Sequence, residues 1–323
     1  MIRTTFTRRI GIEHPIVQAG MGVEAGARLA AAVSNAGGLG TIGSIGGTPD
    51  HLAAEIHACR AATDRPFAVN VATWPWAPWA FDLLDVVLAE RPPVVTLSFG
   101  DPLPSLARCR AAGLTTIVQV QDLAGARAAI AAAPDAVIAQ GNEAGGHTGR
   151  RGTLAFAAQV LESAGDLPVL VAGGIATGHG VAAALAMGAA GAVLGTRFKA
   201  SQEFACSDTQ KEALVRSDGG NTLHDEVFDE ACGLDWPGTV TGRALRSAFS
   251  DAWAGRRDAL RAAVAAQPPF GFMAELARDP ATEINWAGES AGLVDDVRPA
   301  GEIVAHVAAD AERRLRAAAM LLS

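Results

Sequence analysis

The sequence predicts an α/β protein, a (β/α)8 barrel of the TIM type carrying an additional α-helical cap or lid. Three observations support this. Eight short β-prone runs occur in the first 200 residues, Ala-rich helical patterns separate them, and the rhythm then stops. Eight strand–helix repeats are the number that closes a parallel sheet into a barrel. A doubly wound open sheet is the alternative, although such sheets more often stop at fewer strands.

The strands are expected at Pro15–Gln18, Leu39–Gly43, Phe67–Val71, Val94–Phe99, Thr115–Val120, Ala136–Gln140, Val169–Gly173 and Ala192–Thr196. Several are unbroken apolar runs, as parallel strands buried on both faces require. Helices are expected at Ala25–Ala36, Pro49–Ala62, Phe81–Ala89, Leu103–Ala112, Leu123–Ala132, Leu154–Ser163 and Gly178–Met187. Residues 201–290 hold Trp236, Trp253, Pro268, Pro269 and Pro280 with helical stretches and no train of strands, so they are read as the cap over the barrel. From Pro299 onward, Ile303, Val304, Val307, Ala311 and Leu315 recur at helical spacing. That pattern predicts a closing helix packed on the barrel. Residues 1–200 and 291–323 would then form the barrel unit.

Composition narrows the function. The formal net charge is −8 and no cluster of five or six like charges occurs, which argues against a nucleic-acid partner. Charged residues make up only 19% of the chain, which leaves room for a covered face, as in a homodimer. The four cysteines (Cys59, Cys109, Cys206 and Cys232) have neither metal-ligand spacing nor a disulfide framework. No apolar run is long enough for a membrane span, and the first residues lack a signal-peptide core. The expectation is a reduced cytoplasmic protein with no bound metal.

The chemistry is expected at the C-terminal ends of the strands. Strand seven ends in AGGIATGHG and strand eight in GTRF. Gly173, Gly174, Gly195 and Thr196 can offer backbone amides to a phosphate, aided by the start of the following helix. Gln18 and Met21 follow strand one, Asn70 ends strand three, Gln119 lies in strand five and Gln140 ends strand six. These neutral amides suit a flat, amide-rich ring, although Asn70 and Gln119 can equally satisfy buried backbone groups. WPWAPW, Trp74 to Trp79, lies on the same rim, where it can wall a pocket or hold the cap. GxSxG, HExxH and P-loop patterns are absent.

The stretches HPIVQAGMG, GGLGTIGS, FAVNV, QGNEAGGHTG, VLVAGGIATGHG with GTRF, and INWAGESAGLVDD together resemble the nitronate monooxygenase family. The likeness runs from about His14 to Val304, and its most specific element is Gln140–Gly149. It implies an FMN-dependent barrel that oxidises alkyl nitronates, or nitroalkanes, with O2 to a carbonyl compound and nitrite. It further implies that Asn70 and Gln140 bind the flavin ring or ribityl chain. Gly145, Gly174, Gly195 and Thr196 would contact the flavin or its phosphate, and Gln18 and Met21 would lie along the ring edge. His147 would stand over the ring as the catalytic histidine.

The chain departs from the family in having no tyrosine, so an aromatic wall must come from Trp74, Trp76, Trp79, Trp236, Phe270 or Phe272. Glu143 is expected to hold its own loop through backbone amides. An NAD(P)H-dependent flavin reductase of an enoyl thioester or quinone remains an alternative on the same scaffold, and a non-catalytic flavin-binding barrel is a further one.

Overall fold

The computed structural model describes residues 1–73, 79–233, 236, 239–268 and 271–322, with 79–82 described by backbone alone. Trp74, Trp76 and Phe270, and the side chain of Trp79, therefore lie outside the described residues.

Eight parallel strands form the barrel. They are β1 (Ile16–Gln18), β2 (Gly40–Gly43), β3 (Phe67–Thr73), β4 (Val94–Gly100), β5 (Thr115–Val120) and β6 (Ala136–Gln140), then, after a short β7 (Gly146–Thr148), β8 (Val169–Ala172) and β9 (Gly191–Leu194). The order β1-β9-β8-β6-β5-β4-β3-β2 runs once around the ring. Val17 bridges Leu39, with Gln18 N–H donating to Leu39 O and Leu39 N–H to Ile16 O, both at 2.9 Å, and this closes β1 on β2. Every expected strand is present. The last two end before Gly173, Gly195 and Thr196, which belong to the rim.

Side-chain alternation divides the core in two. Val17, Leu39, Ala68, Val94, Ile117, Ile138, Leu170 and Val193 fill the barrel interior, joined by Phe6 and Ile10 of an N-terminal helix, Thr5–Ile10. Their neighbours Ile16, Val69, Val95, Val118, Val137, Val169 and Ala192 face the outer helices. The period of two then places Asn70, Thr96, Gln119, Gln140 and Ala172 on the inward face nearer the strand ends. The helix Ala300–Ala319 buries Ile303, Val304, Val307 and Ala311 and packs on helices Gly178–Ala186 and Ala27–Asn35, as its spacing predicts.

Residues 201–290 contain five helices among the described residues, but also two strands, β10 (Thr222–Asp225) and β11 (Thr241–Leu245). The two strands add a small sheet to the helical stretches expected there. These strands pair antiparallel with each other and, through β11, with β7 of the barrel rim. Each is too short, and too evenly half-buried or buried, to show an alternating pattern. The region has its own core of Phe228, Phe249, Leu260, Phe272, Leu276 and Ile284. Among the described residues, no helix is long and apolar enough to cross a membrane. All four cysteines are free, and burial pushes the Cys59 and Cys232 thiols up to about 12.

Candidate active site

The loop Gly141–Arg151 rises from β6 and turns back through β7. Gly141, Gly145 and Gly149 in this loop, and Gly173 on the neighbouring rim, are packing requirements. A Cβ on Gly145 would lie 2.5 Å from the Ala287–Gly288 backbone, and one on Gly173 would lie 2.5 Å from Thr153 Oγ1. Gly173 and Gly174 have φ of 110° and 70°, a region that L side chains rarely adopt. Glu143 accepts the Thr153 N–H at 2.7 Å and also the Thr153 hydroxyl, so it caps the helix Thr153–Ala164. Arg243 of β11 donates from Nε to Asn142 O at 2.8 Å and pairs with Glu289 at 3.2 Å, tying the loop to the cap.

This bracing presents His147 at the strand ends. In the pairing of β7 with β11, His147 stands opposite Gly242 and Thr148 opposite Thr241. Nε2 of His147 lies 2.5 Å from Asp229 Oδ1, and Thr241 Oγ1 donates to Asp229 Oδ2 at 2.6 Å. His224 Nε2 meets Thr148 Oγ1 at 3.0 Å and Thr241 O at 3.2 Å. Burial holds the His224 pKa below its ordinary value, so that ring is neutral near pH 7.

Among the described residues, three aromatic rings surround His147. Trp236 stacks on it with ring centres 3.8 Å apart and planes at 15°. Trp286 lies 5.1 Å away and Phe99 6.4 Å away, edge-on. Trp236 therefore belongs to the wall, as expected. Phe272 does not, because it is buried in the cap core against Phe249 and Trp253. Trp286 and Phe99, which the sequence reading did not single out, take that place. Phe99 sits at φ 62°, held by the Thr73 hydroxyl on its carbonyl. The buried Lys199 fixes Trp286 by donating from Nζ to its carbonyl at 3.1 Å.

Beneath the loop lies a set of amides. Gln140 Oε1 accepts from Gln119 Nε2 at 3.0 Å and from Gln121 Nε2 at 2.6 Å, and Gln121 Nε2 also reaches His147 O at 3.1 Å. With its oxygen so occupied, Gln140 keeps its own amide N–H groups to offer. Asn70 donates to Thr96 O at 3.1 Å and to Ser98 Oγ at 3.0 Å, which leaves its oxygen as the acceptor. Gln18 does not join this set. Its Oε1 accepts the Thr41 N–H at 2.8 Å and its amide donates to Ala19 O, so it joins β1 to β2.

The phosphate end expected from the sequence is divided in the structure. Gly174 and Gly195 keep open faces, since an added Cβ would come no nearer than 3.5 Å to Glu143 Cβ and Met21 Sδ respectively. The Thr196 hydroxyl accepts Gly288 N–H at 3.0 Å and begins a four-residue helix, Thr196–Lys199. The start of the helix Gly178–Ala186 is less available than expected. A Cβ on Gly178 would lie 2.5 Å from the buried carboxylate of Asp310, which already faces that end. Neutral amides with both free donors and a free acceptor, beside backbone that a Cβ would fill at Gly174 and Gly195, fit a flavin and its phosphate. Among the described residues, no cluster of His, Cys, Asp or Glu could hold a metal ion.

Comparison with known proteins agrees with this architecture. The nitronate monooxygenase family profile matches residues 3–75 and 77–310. The chain is 32% identical to the (3aS,4S,5R,7aS)-5-hydroxy-7a-methyl-1-oxo-octahydro-1H-indene-4-carboxyl-CoA dehydrogenase of Rhodococcus jostii, over 98% of each chain. It is also 32% identical to a nitronate monooxygenase of Paraburkholderia phytofirmans, over 95% of this chain and 93% of that one. Among solved structures, FabK from Thermotoga maritima superposes with a TM-score of 0.87 at 33% identity, covering 99% of this chain and all of that one. By sequence match along nearly its whole length and by a matching barrel, the chain belongs to the nitronate monooxygenase family of flavin-dependent oxidoreductases.

Proposed function

We propose that the chain oxidises alkyl nitronates with molecular oxygen, using FMN, to a carbonyl compound and nitrite. The observation that carries this reading is the placement of His147. It is enclosed by Phe99, Trp236 and Trp286 and joined through Gln121 to the amides at the strand ends. When bound, FMN would supply the redox chemistry between the substrate and oxygen. Gln140 and Gln119 would orient it through their amides and Asn70 through its oxygen. Gly174, Gly195 and the backbone at Thr196 would hold its phosphate, with Met21 alongside. The aromatic wall excludes water and shapes a compact substrate space. His147 would donate a hydrogen bond to the oxygen of an anionic nitronate, or take a proton from the carbon next to the nitro group of a neutral nitroalkane.

A second reading, redox chemistry on a CoA thioester, is favoured by the name of the Rhodococcus jostii relative. It asks the protein to hold a polyanionic substrate. Two arginines of the cap, Arg243 and Arg257, already have carboxylate partners. Arg243 pairs with Glu289, and Arg257 with Glu226 and Glu230. A CoA moiety would have to compete with these partners.

The test is an anaerobic absorbance titration of the purified yellow protein with a nitronate, a CoA thioester, NADPH and NADH in separate cuvettes. Bleaching by nitronate, followed by nitrite on admitting air, supports the proposal. Bleaching by a nicotinamide or a response to the thioester alone would replace it with the corresponding alternative.

A further inference from the structure

We infer that Asp229 is the positioning residue that fixes the tautomer of His147, so that Nδ1 is the atom that takes the substrate proton. This inference rests on the function proposed above.

Asp229 is 7% exposed and His147 16%, and Oδ1 of the first lies 2.5 Å from Nε2 of the second. An ionised carboxylate only accepts hydrogen bonds, so Nε2 carries the hydrogen of that contact. In the neutral imidazole the lone pair then resides on Nδ1. The carboxylate cannot swing away, because its other oxygen takes the Thr241 hydroxyl at 2.6 Å. The ring cannot easily turn over, because Trp236 stacks on it at 3.8 Å. The backbone pairing of β7 with β11 fixes Thr241 in register with the residue next to His147. Tautomer, ring plane and anchor are thus all set before substrate arrives. A residue needed only to present positive charge to an anion would not require its tautomer to be set.

The step is balanced without any redox partner. The carbon–hydrogen bond beside the nitro group breaks and its proton forms a bond to Nδ1. The electron pair moves into the carbon–nitrogen bond, giving the nitronate. Asp229 keeps its negative charge and stabilises the imidazolium that results. The nitronate is the species oxidised in the reaction already proposed.

The test compares one nitroalkane with its own preformed nitronate, as rates of flavin reduction at saturating substrate. The proteins are wild type, Asp229→Asn and Thr241→Val, each checked for flavin content. Wild type is expected to accept both forms. In Asp229→Asn the rate with neutral nitroalkane should fall about 100-fold or more, the usual worth of a positioned base, with KM little changed. The rate with nitronate should fall far less, so the ratio of the two rates drops at least about tenfold. Thr241→Val should shift the ratio in the same direction by a smaller factor, and decides the matter if Asp229→Asn does not fold. Equal losses on both forms, or no loss, would overturn the inference, as would a wild type that oxidises nitronate alone. A wild type that oxidises neither form would overturn the proposed function with it.

Discussion

Gly242 stands opposite His147 in the small antiparallel sheet, and a Cβ there would lie 2.5 Å from the Trp286 ring. The missing side chain is what lets Trp286 close over the histidine. Trp286 has little room to retreat, with Phe228 5.7 Å from it on one side and His147 5.1 Å on another. Gly242→Ala should therefore push the indole into the substrate space. We expect KM for nitronate to rise about tenfold, roughly 1.4 kcal/mol, while flavin content is retained. Steady-state kinetics with a small and a longer nitronate would show it, the longer one suffering more. Unchanged KM values for both would mean that Trp286 does not bound the substrate.

The flavin site can be tested at Gly195. Its φ is not in the left-handed region and its Cβ position is open, so Gly195→Val should fold normally. A side chain there would occupy the space assigned to the phosphate. Purified Gly195→Val should lose most of its visible flavin absorbance while its far-ultraviolet dichroism is kept. Full flavin content would move the phosphate elsewhere.

Glu143 separates loop support from catalysis. It accepts two bonds at the start of the helix Thr153–Ala164. Glu143→Ala should cost about 1 kcal/mol of stability in a denaturant melt, the usual worth of a lost cap. The Gln variant should recover most of it. Turnover per bound flavin should change little. A large loss of turnover in Glu143→Gln at unchanged stability would instead place the carboxylate in the chemistry.

Lys199 predicts an alkaline gain in stability. Burial pushes it from an ordinary 10.5 down to about 8. Between those values the unfolded chain holds a proton that the folded chain has released, so folding is favoured as pH rises through this window. Below about pH 8 the cost of burying the ammonium is present in full. Wild type should therefore gain about 3 kcal/mol relative to Lys199→Met as pH is raised from about 8 to about 10.5. Urea melts of the two proteins across that range measure it. Parallel curves would show that Lys199 is solvated in the folded protein.

Much of this architecture is legible in the one-dimensional string, for physical reasons. Parallel strands buried on both faces must be apolar throughout, so Val94–Phe99 and Thr115–Val120 announce themselves. A period of two then places Asn70, Gln119 and Gln140 at the barrel mouth. The spacing of Ile303, Val304, Val307 and Ala311 likewise specifies the closing helix. The resemblance carried by Gln140–Gly149 singled out His147.

Tertiary structure alone decided what surrounds that histidine. Asp229 lies 82 residues further along the chain, in a six-residue helix with no motif, and meets His147 only because β11 pairs with β7. β7 has three residues, too few for periodicity to reveal. Gln18, which reads as a rim amide, is instead spent on the backbone of its neighbour strand. Trp286 enters the wall, and Phe272 leaves it, through packing against side chains distant in sequence. Local pattern reports which residues must be buried. Which buried group meets which other depends on long-range register, and that exists only once the chain has folded.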